Sequence, residues 1–200
     1  MGKNIEYGMV ELGLPSGLKW ADRNVGAETT EAYGDYFMWG STEPDTDKPC
    51  YSEHAPFNDG QEYLDEAYFN AHKSEWLYGD VLKPEYDAAH AIMGDGWRMP
   101  TQAEMQELLD GTTWSAEKIN RISGMRFTSN VNGNSIFMPF AGRRLGSDID
   151  GVGNLGYAWS SSLDADDNDG SHGLDFYDLG GAYVDDYIRC DGFAVRGVHG

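Results

Sequence analysis

Two hundred residues suit one domain, and they suffice for a core that needs no metal or disulfide staple. The chain sets 34 acidic against 14 basic side chains, a net charge of -20 at pH 7. Such a surface repels phosphate backbones and anionic lipid, so nucleic acid partners and direct membrane insertion are not expected.

Aromatic residues make up 13% of the chain, which favours a packed globule over disorder. Met1–Val10 carries no apolar signal core, so no signal peptide is read in this chain, and no run reaches membrane-spanning length. Short apolar runs punctuated by 26 glycines predict many short strands joined by tight turns. The first is a hairpin: Val10-Glu11-Leu12 and Leu18-Lys19-Trp20 flank Pro15-Ser16-Gly17. Tyr36-Phe37-Met38-Trp39 reads as an aromatic strand closed by Gly40. Residues 41–92 are polar and hold four of the seven prolines; they read as a loop-rich insert with one or two short helices. Thr101 followed three residues later by Glu104 is a capping box. It predicts a helix with Met105, Leu108 and Leu109 on one face and Gly111 at its close. Strand signals return at 135–138, 157–159, 174–176 and 193–195, and no repeat or linker divides the chain.

The last forty residues use a restricted alphabet. Residues 161–200 contain no Lys, Glu, Gln, Met or Trp, whereas the first 160 contain 36 of them. Composition alone gives such a blank stretch a chance of roughly a few in 100,000. These five residue types share one property: none has a codon ending in a pyrimidine. A plainer source of the same pattern is an acidic, glycine-rich region that lacks long side chains. Within the tail, Leu174 and Phe176 alternate with Asp175 and Tyr177, and Tyr183, Asp185 and Tyr187 repeat the spacing of two. If Leu174 and Phe176 face the core, Asp175 and Tyr177 face outward. Tyrosine with small polar neighbours is effective contact chemistry, since it offers rigid area at low entropic cost; ordinary solvated strand faces with aromatic cross-strand pairs would look similar.

Six segments in order carry a resemblance: Leu12-Gly13-Leu14-Pro15-Ser16-Gly17-Leu18-Lys19-Trp20-Ala21, Gly34-Asp35-Tyr36-Phe37-Met38-Trp39-Gly40, Gly96-Trp97-Arg98-Met99-Pro100-Thr101, Asn134-Ser135-Ile136-Phe137-Met138-Pro139, Gly156-Tyr157-Ala158-Trp159-Ser160-Ser161 and Gly192-Phe193-Ala194-Val195-Arg196. Together they resemble the Fibrobacter succinogenes major paralogous domain family. The resemblance implies an α+β C-type lectin fold of the formylglycine-generating-enzyme-like subtype, spanning residues 1–200 as one domain. It also implies kinship with the variable proteins of diversity-generating retroelements, in which adenine-directed mutagenesis rewrites chosen codons near the end of the gene into the form NNY. That is the alphabet of the tail. On this reading residues 161–198 are a variable region, displayed on a rigid scaffold at a bacterial cell surface or on a phage virion, and the partner is a protein or glycan on a cell surface. The alternative from the same resemblance is a fixed surface adhesin or glycan-binding domain.

Trp159, Leu174, Phe176, Phe193 and Val195 are expected in the core, with Arg189 and Arg196 as buried, paired framework residues. The expected ligand-binding positions are Asp166, Asp167, Asp169, His172, Asp175, Tyr177, Tyr183, Asp185, Tyr187, Cys190 and Asp191. The run Asp164–Gly170 invites a calcium reading, but its glycine stands seventh where an EF-hand loop needs it sixth, so a solvated acidic loop is expected and no cofactor or metal is assigned. Cys50 and Cys190 lie far apart with no metal-ligand spacing; two unpaired thiols are the default, and a disulfide depends on geometry. The kinship with formylglycine-generating enzymes implies copper and thiol chemistry only where the fold brings a cysteine pair together. No nucleophile elbow, phosphate loop or histidine cluster is present, and the chain is read as a binding protein and not as an enzyme.

Overall fold

A computed structural model describes residues 5–46, 55–61 and 64–200. The fold is mixed α+β, dominated by antiparallel pairing. The expected hairpin forms from β1 (Met9–Glu11) and β2 (Lys19–Ala21), with Val10 opposite Trp20 and a turn closed by Gly17 N–H donating to Leu14 O at 2.9 Å. The C-terminal strand β14 (Val198–His199) inserts between β2 and β5 (Trp97–Arg98), so both ends of the described chain share one four-stranded sheet.

The insert is more ordered than its polar sequence suggests. It contributes α1 (Glu66–Trp76), the short strands β3 (Leu77–Tyr78) and β4 (Val81–Leu82), a 3-10 turn at Pro84–Tyr86 and α2 (Ala88–Met93). Asp65 caps α1 by accepting from the N–H groups of Ala67 and Tyr68. Phe57, Phe69, Trp76, Leu77 and Leu82 are buried in a cluster with Trp39, Trp159 and Phe193. The insert therefore supplies close to half of this cluster's buried side chains, although Tyr78 and Ile92 stay exposed.

The capping box is present at both ends of its exchange: Thr101 Oγ1 accepts from Glu104 N–H, and Glu104 Oε2 accepts from Thr101 N–H at 2.8 Å. It opens α3 (Gln102–Gly111), whose Met105, Leu108 and Leu109 are buried as expected. Gly111 does not close the helix as a left-handed cap. It is the last helical residue, packed so closely on the first hairpin that a Cβ there would stand 2.3 Å from Leu14 Cδ2 and the leucine end would have to shift.

A hairpin that sequence reading missed follows, β6 (Thr112–Ile119) with β7 (Ile122–Ser129), extended by β8 (Ser135–Pro139). Its turn residues Asn120 and Arg121 both take positive φ, as the favoured two-residue hairpin turn requires, but arginine gives no turn signal. Next come the ribbon β9 (Arg143–Leu145) and β10 (Asp148–Asp150), then β11 (Leu155–Leu163), β12 (Gly170–Tyr177) and β13 (Gly181–Ile188). These last three form an antiparallel meander, and β4 and β3 extend it in the order β13-β12-β11-β4-β3.

Two expected strands are not ladders. Tyr36–Trp39 and Phe193–Val195 meet through a single bridge, Phe37 with Phe193, and Ala194 bridges Ala158. They are buried instead by side-chain packing: the Phe193 ring stacks on Trp159 with centroids 4.1 Å apart, and Trp159 and Trp39 each donate an indole N–H to the other's segment, to Phe37 O at 2.8 Å and Ser160 O at 2.9 Å. The expectation of unpaired thiols is also corrected, since Cys190 is disulfide-bonded. The chain's other cysteine, Cys50, lies outside the described residues.

Arg196 is wholly buried, as expected, although its partners are not carboxylates. Nε donates to Asn24 Oδ1, Nη1 to Ala21 O and Nη2 to Phe137 O, each at 2.9 Å. Arg196→Leu strands these acceptors in the core, at about 1–3 kcal/mol for each unsatisfied group. It should therefore cost well over the ~1 kcal/mol expected for loss of the helix cap in Thr101→Ala. Urea unfolding of both variants checks the order; equal losses would mean that the guanidinium is not a structural hub.

Candidate ligand-binding face

The meander β11–β13 has two faces set by strand alternation. Inward lie the rows Ala158–Leu174–Val184 and Gly156–Phe176–Ala182, packed with α3 and the β6–β8 sheet around the first core. Outward lie Tyr157–Asp175–Tyr183 in one row, Tyr177 opposite Gly181, Gly173 opposite Asp185, and Tyr187 opposite Ser171. The expected outward placement of Asp175 and Tyr177 therefore holds, and Tyr183, Asp185 and Tyr187 join them.

The outward face is not uniform. At its Trp159 end it is roofed by Phe193 and the insert, while at the other end Tyr183 is 55% exposed. Three residues of β11, at 160–162, stand against the single His172 of β12, because the register shifts between Trp159 and Leu163. The serines of this bulge are consumed in structure: Ser160 Oγ donates to His172 O at 2.7 Å, and Ser162 Oγ accepts from Gln102 N–H at the start of α3. The face is thus fastened from behind to the best-capped helix of the fold.

Two glycines let tyrosine rings lie close to the sheet. A Cβ on Gly181 would meet the Tyr177 ring at 2.0 Å, and one on Gly173 would crowd Ala158 O at 3.1 Å and Tyr187 at 3.4 Å. Tyr177 and Tyr183 stack with centroids 6.1 Å apart and 23° between planes, and their hydroxyls are 3.5 Å apart. Tyr157 and Tyr187 meet edge to face at 5.7 Å. Asp175 stands between these pairs. Burial pushes its carboxyl above the ordinary carboxylate value; the Tyr187 hydroxyl pulls it back by hydrogen bonding, and Asp185 pushes it further up. Its Oδ1 is buried without a hydrogen-bond partner. Tyr187 itself is raised well above a free phenol, chiefly by burial and then by the Asp175 charge. At the tip of the β12–β13 turn, Leu179 is 89% exposed beside this patch.

The remaining expected positions scatter. Asp167 and Asp169 line a cleft of about 330 Å³ with Arg143, Asp186, Tyr187 and Asp191 at the edge of β13. Asp166 is exposed on the adjoining loop. In this loop Asp164 and Asp167 accept the N–H groups of Asp166 and Asp169, so their carboxylates serve the turns; no metal-holding group of three or more acidic, His or Cys side chains occurs among the described residues. His172 points to the opposite side of β12 from Asp175, across from Asp186, with Nδ1 buried and unpartnered. Cys190 and Asp191 are buried, and Asp191 is ion-paired with Arg143 at 3.0 Å, so neither belongs to the open face. Arg189 is buried framework: Nε holds Asn168 O at 2.8 Å, the guanidinium lies 4.8 Å over Phe69, and burial lowers its pKa to about 10.

Sequence reading missed two members of this region. Tyr157 shares a face with Trp159 by alternation, but the strand signal at 157–159 assigns it no place in the site. Arg143, whose guanidinium lies 5.6 Å over the Tyr157 ring, comes from β9 and gave no signal beyond two adjacent arginines in an acidic chain. A further cleft of about 540 Å³, lined by Tyr7, Asp35, Glu43 and Ile92 among others, draws no residue from the tail. Compared with protein-family models, curated proteins and solved structures, the chain matches none.

A half-buried carboxylate with an open oxygen is a stability cost. Because the folded-state pKa of Asp175 is raised, the folded chain holds that proton more tightly than the unfolded chain. The cost is full at neutral pH and fades as pH falls through the window between the raised value and the ordinary 3.8. Asp175→Asn should therefore be at least as stable as the parent at pH 7, with the difference shrinking on acidification. Thermal melts across a pH series check this; a variant clearly less stable at neutral pH would show that the charge supports the fold.

Proposed function

We propose that this chain is a ligand-binding and display protein of C-type lectin fold, akin to the Fibrobacter succinogenes major paralogous domain family, whose tail is diversified by a retroelement. One observation carries the reading. The segment of restricted alphabet supplies the open face of β12–β13, while Leu174, Phe176, Ala182 and Val184 on the inward side of the same strands pack in the core. Strand alternation separates the two sets, so outward codons can vary without touching the core.

The framework supports the kinship. The six segments that carry the resemblance are fastened to one another: Arg196 bonds Ala21 and Phe137, Trp159 and Trp39 exchange indole bonds, and Ser161 N–H donates to Pro100 O. A disulfide persists outside a reducing cytoplasm, which supports a place on a cell surface or virion. No helix among the described residues is long and apolar enough to cross a membrane. A role for Cys190 in thiol chemistry is less well supported, because the described residues leave a space of only about 10 Å³ beside it. The partner on this reading is a protein or glycan on a cell surface.

The DNA beside the gene is the direct test. A near-copy of its 3′ part, differing only where the copy has adenine and lying next to a reverse transcriptase, is expected. Differences should fall on Asp175, Tyr177, Tyr183, Asp185 and Tyr187 and spare Leu174, Phe176 and Ala182. An intact locus with neither element would leave a fixed surface adhesin in its place.

A further inference from the structure

We propose a second binding surface, independent of the diversified face: the open edge of β13, which takes an extended, basic segment of a partner protein as an added strand. The five-stranded sheet ends at β13, and among the described residues no strand or isolated bridge lies beyond it. The ladder with β12 shows which backbone groups are spare. In antiparallel pairing alternate residues bond one neighbour, and those between them face the other way. Arg189 N–H donates to Asp169 O at 3.0 Å, so by register Tyr187, Asp185 and Tyr183 also bond β12. The intervening residues of β12 agree. Gly170 O and His172 O accept from Asp164 N–H and Ser160 Oγ, on the side away from β13. Val184, Asp186 and Ile188 therefore turn their N–H and C=O groups to the edge.

Two of those groups are already used. Asp186 N–H donates to Asp185 Oδ1, and Ile188 O accepts from Asp191 N–H, each at 3.0 Å. No hydrogen bond among the described residues reaches Val184 from outside the ladder. Val184 N–H and C=O, Asp186 C=O and Ile188 N–H remain for an incoming strand. The strip is open to solvent: Asp185 and Asp186 are exposed, Ile188 is 40% exposed and Val184 is partly exposed.

Charge selects the occupant. Residues 145–188 hold ten aspartates and no lysine or arginine. Beyond Asp185, the residues Asp186, Tyr187 and Ile188 join Asp167 and Asp169 in the wall of the 330 Å³ cleft, whose one cation, Arg143, is paired with Asp191. A second copy of this chain is disfavoured there. Antiparallel pairing centred on Asp185 or Asp186 sets a carboxylate opposite its own twin, and like charges in opposition destabilise a strand pair. Basic residues opposite the same two aspartates stabilise one. The edge thus rejects its own kind and admits a cationic strand.

The test is NMR-detected hydrogen exchange of the full chain with the blocked hexapeptide Thr-Val-Lys-Lys-Val-Thr. Its controls are the counterpart with two glutamates and a fully N-methylated counterpart, which keeps the charge and removes every amide donor. In the free chain, the Val184 and Ile188 amides should exchange fast and those of Tyr183 and Asp185 slowly. Saturating lysine peptide should slow Val184 and Ile188 at least about tenfold. It should also bind at least about tenfold more tightly than either control. Val184→Pro removes an outward donor and spares the ladder with β12, so it should abolish binding. Asp185→Asn combined with Asp186→Asn should weaken binding about fivefold. Asp95→Asn, at an exposed site outside the edge, should stay within about twofold. Val184 and Ile188 amides protected before peptide is added, equal binding of either control, or an Asp95→Asn loss as large as that of the double variant would overturn the proposal. If thermal melts show that Val184→Pro unfolds, the N-methylated peptide decides the question on the unaltered chain.

Discussion

A buried guanidinium organises this fold. Arg196 carries its charge in a site with no exposure, and burial lowers its pKa to about 9, which still leaves it protonated at neutral pH. Such a charge is tolerable only when its donors are met. They are met by Ala21 and Asn24, three residues apart, and by Phe137, so that with Arg196 itself three separate parts of the chain meet. The planar fork fixes the relative positions of the first sheet, the β6–β8 sheet and the segment that carries Phe193. From that arrangement follows the roof over Trp159, and with it the boundary between the covered and open parts of the outer sheet face.

The open face owes its rigidity to what lies behind and beside it. Behind it, Leu174, Phe176 and Ala182 pack into the first core with the residues of α3. Beside it, the insert reaches the tail through Arg189, whose guanidinium lies against the rings of Trp39, Phe57 and Phe69 while Nε fixes the acidic loop at Asn168. The disulfide at Cys190 follows directly in sequence. A surface held at both ends can present tyrosines without paying to order them on binding, which is the general route to affinity from few contacts. Asp175 is the exception to the economy of the fold. Its buried Oδ1 has no hydrogen-bond partner, which costs stability.

What was legible in the sequence was local or periodic. The Thr101–Glu104 exchange needs only four residues. The alternation at 174–177 and 183–187 needs only the period of a strand, and it placed Asp175, Tyr177, Tyr183, Asp185 and Tyr187 correctly on one side. Identical patterns failed where a neighbour intervened. Tyr157 and Trp159 share a face by the same rule and both pack against Phe193, yet Trp159 is wholly buried and Tyr157 stays partly exposed. Tyr36–Trp39 looked like a strand because it is apolar, but its partner is the irregular segment 189–193, which meets it at isolated points and forms no ladder.

The sequence by itself determined the many short strands with tight turns, the helix cap, the two-sided tail and the acidic, tyrosine-rich chemistry of its outward side, because each depends on residues a few positions apart. Only the tertiary structure decided that Asp191 is buried against Arg143, that Cys190 is bonded, and that the insert completes a core. Those outcomes turn on contacts across 48 residues or more, or on which strand lies beside which, and no short-range pattern encodes them.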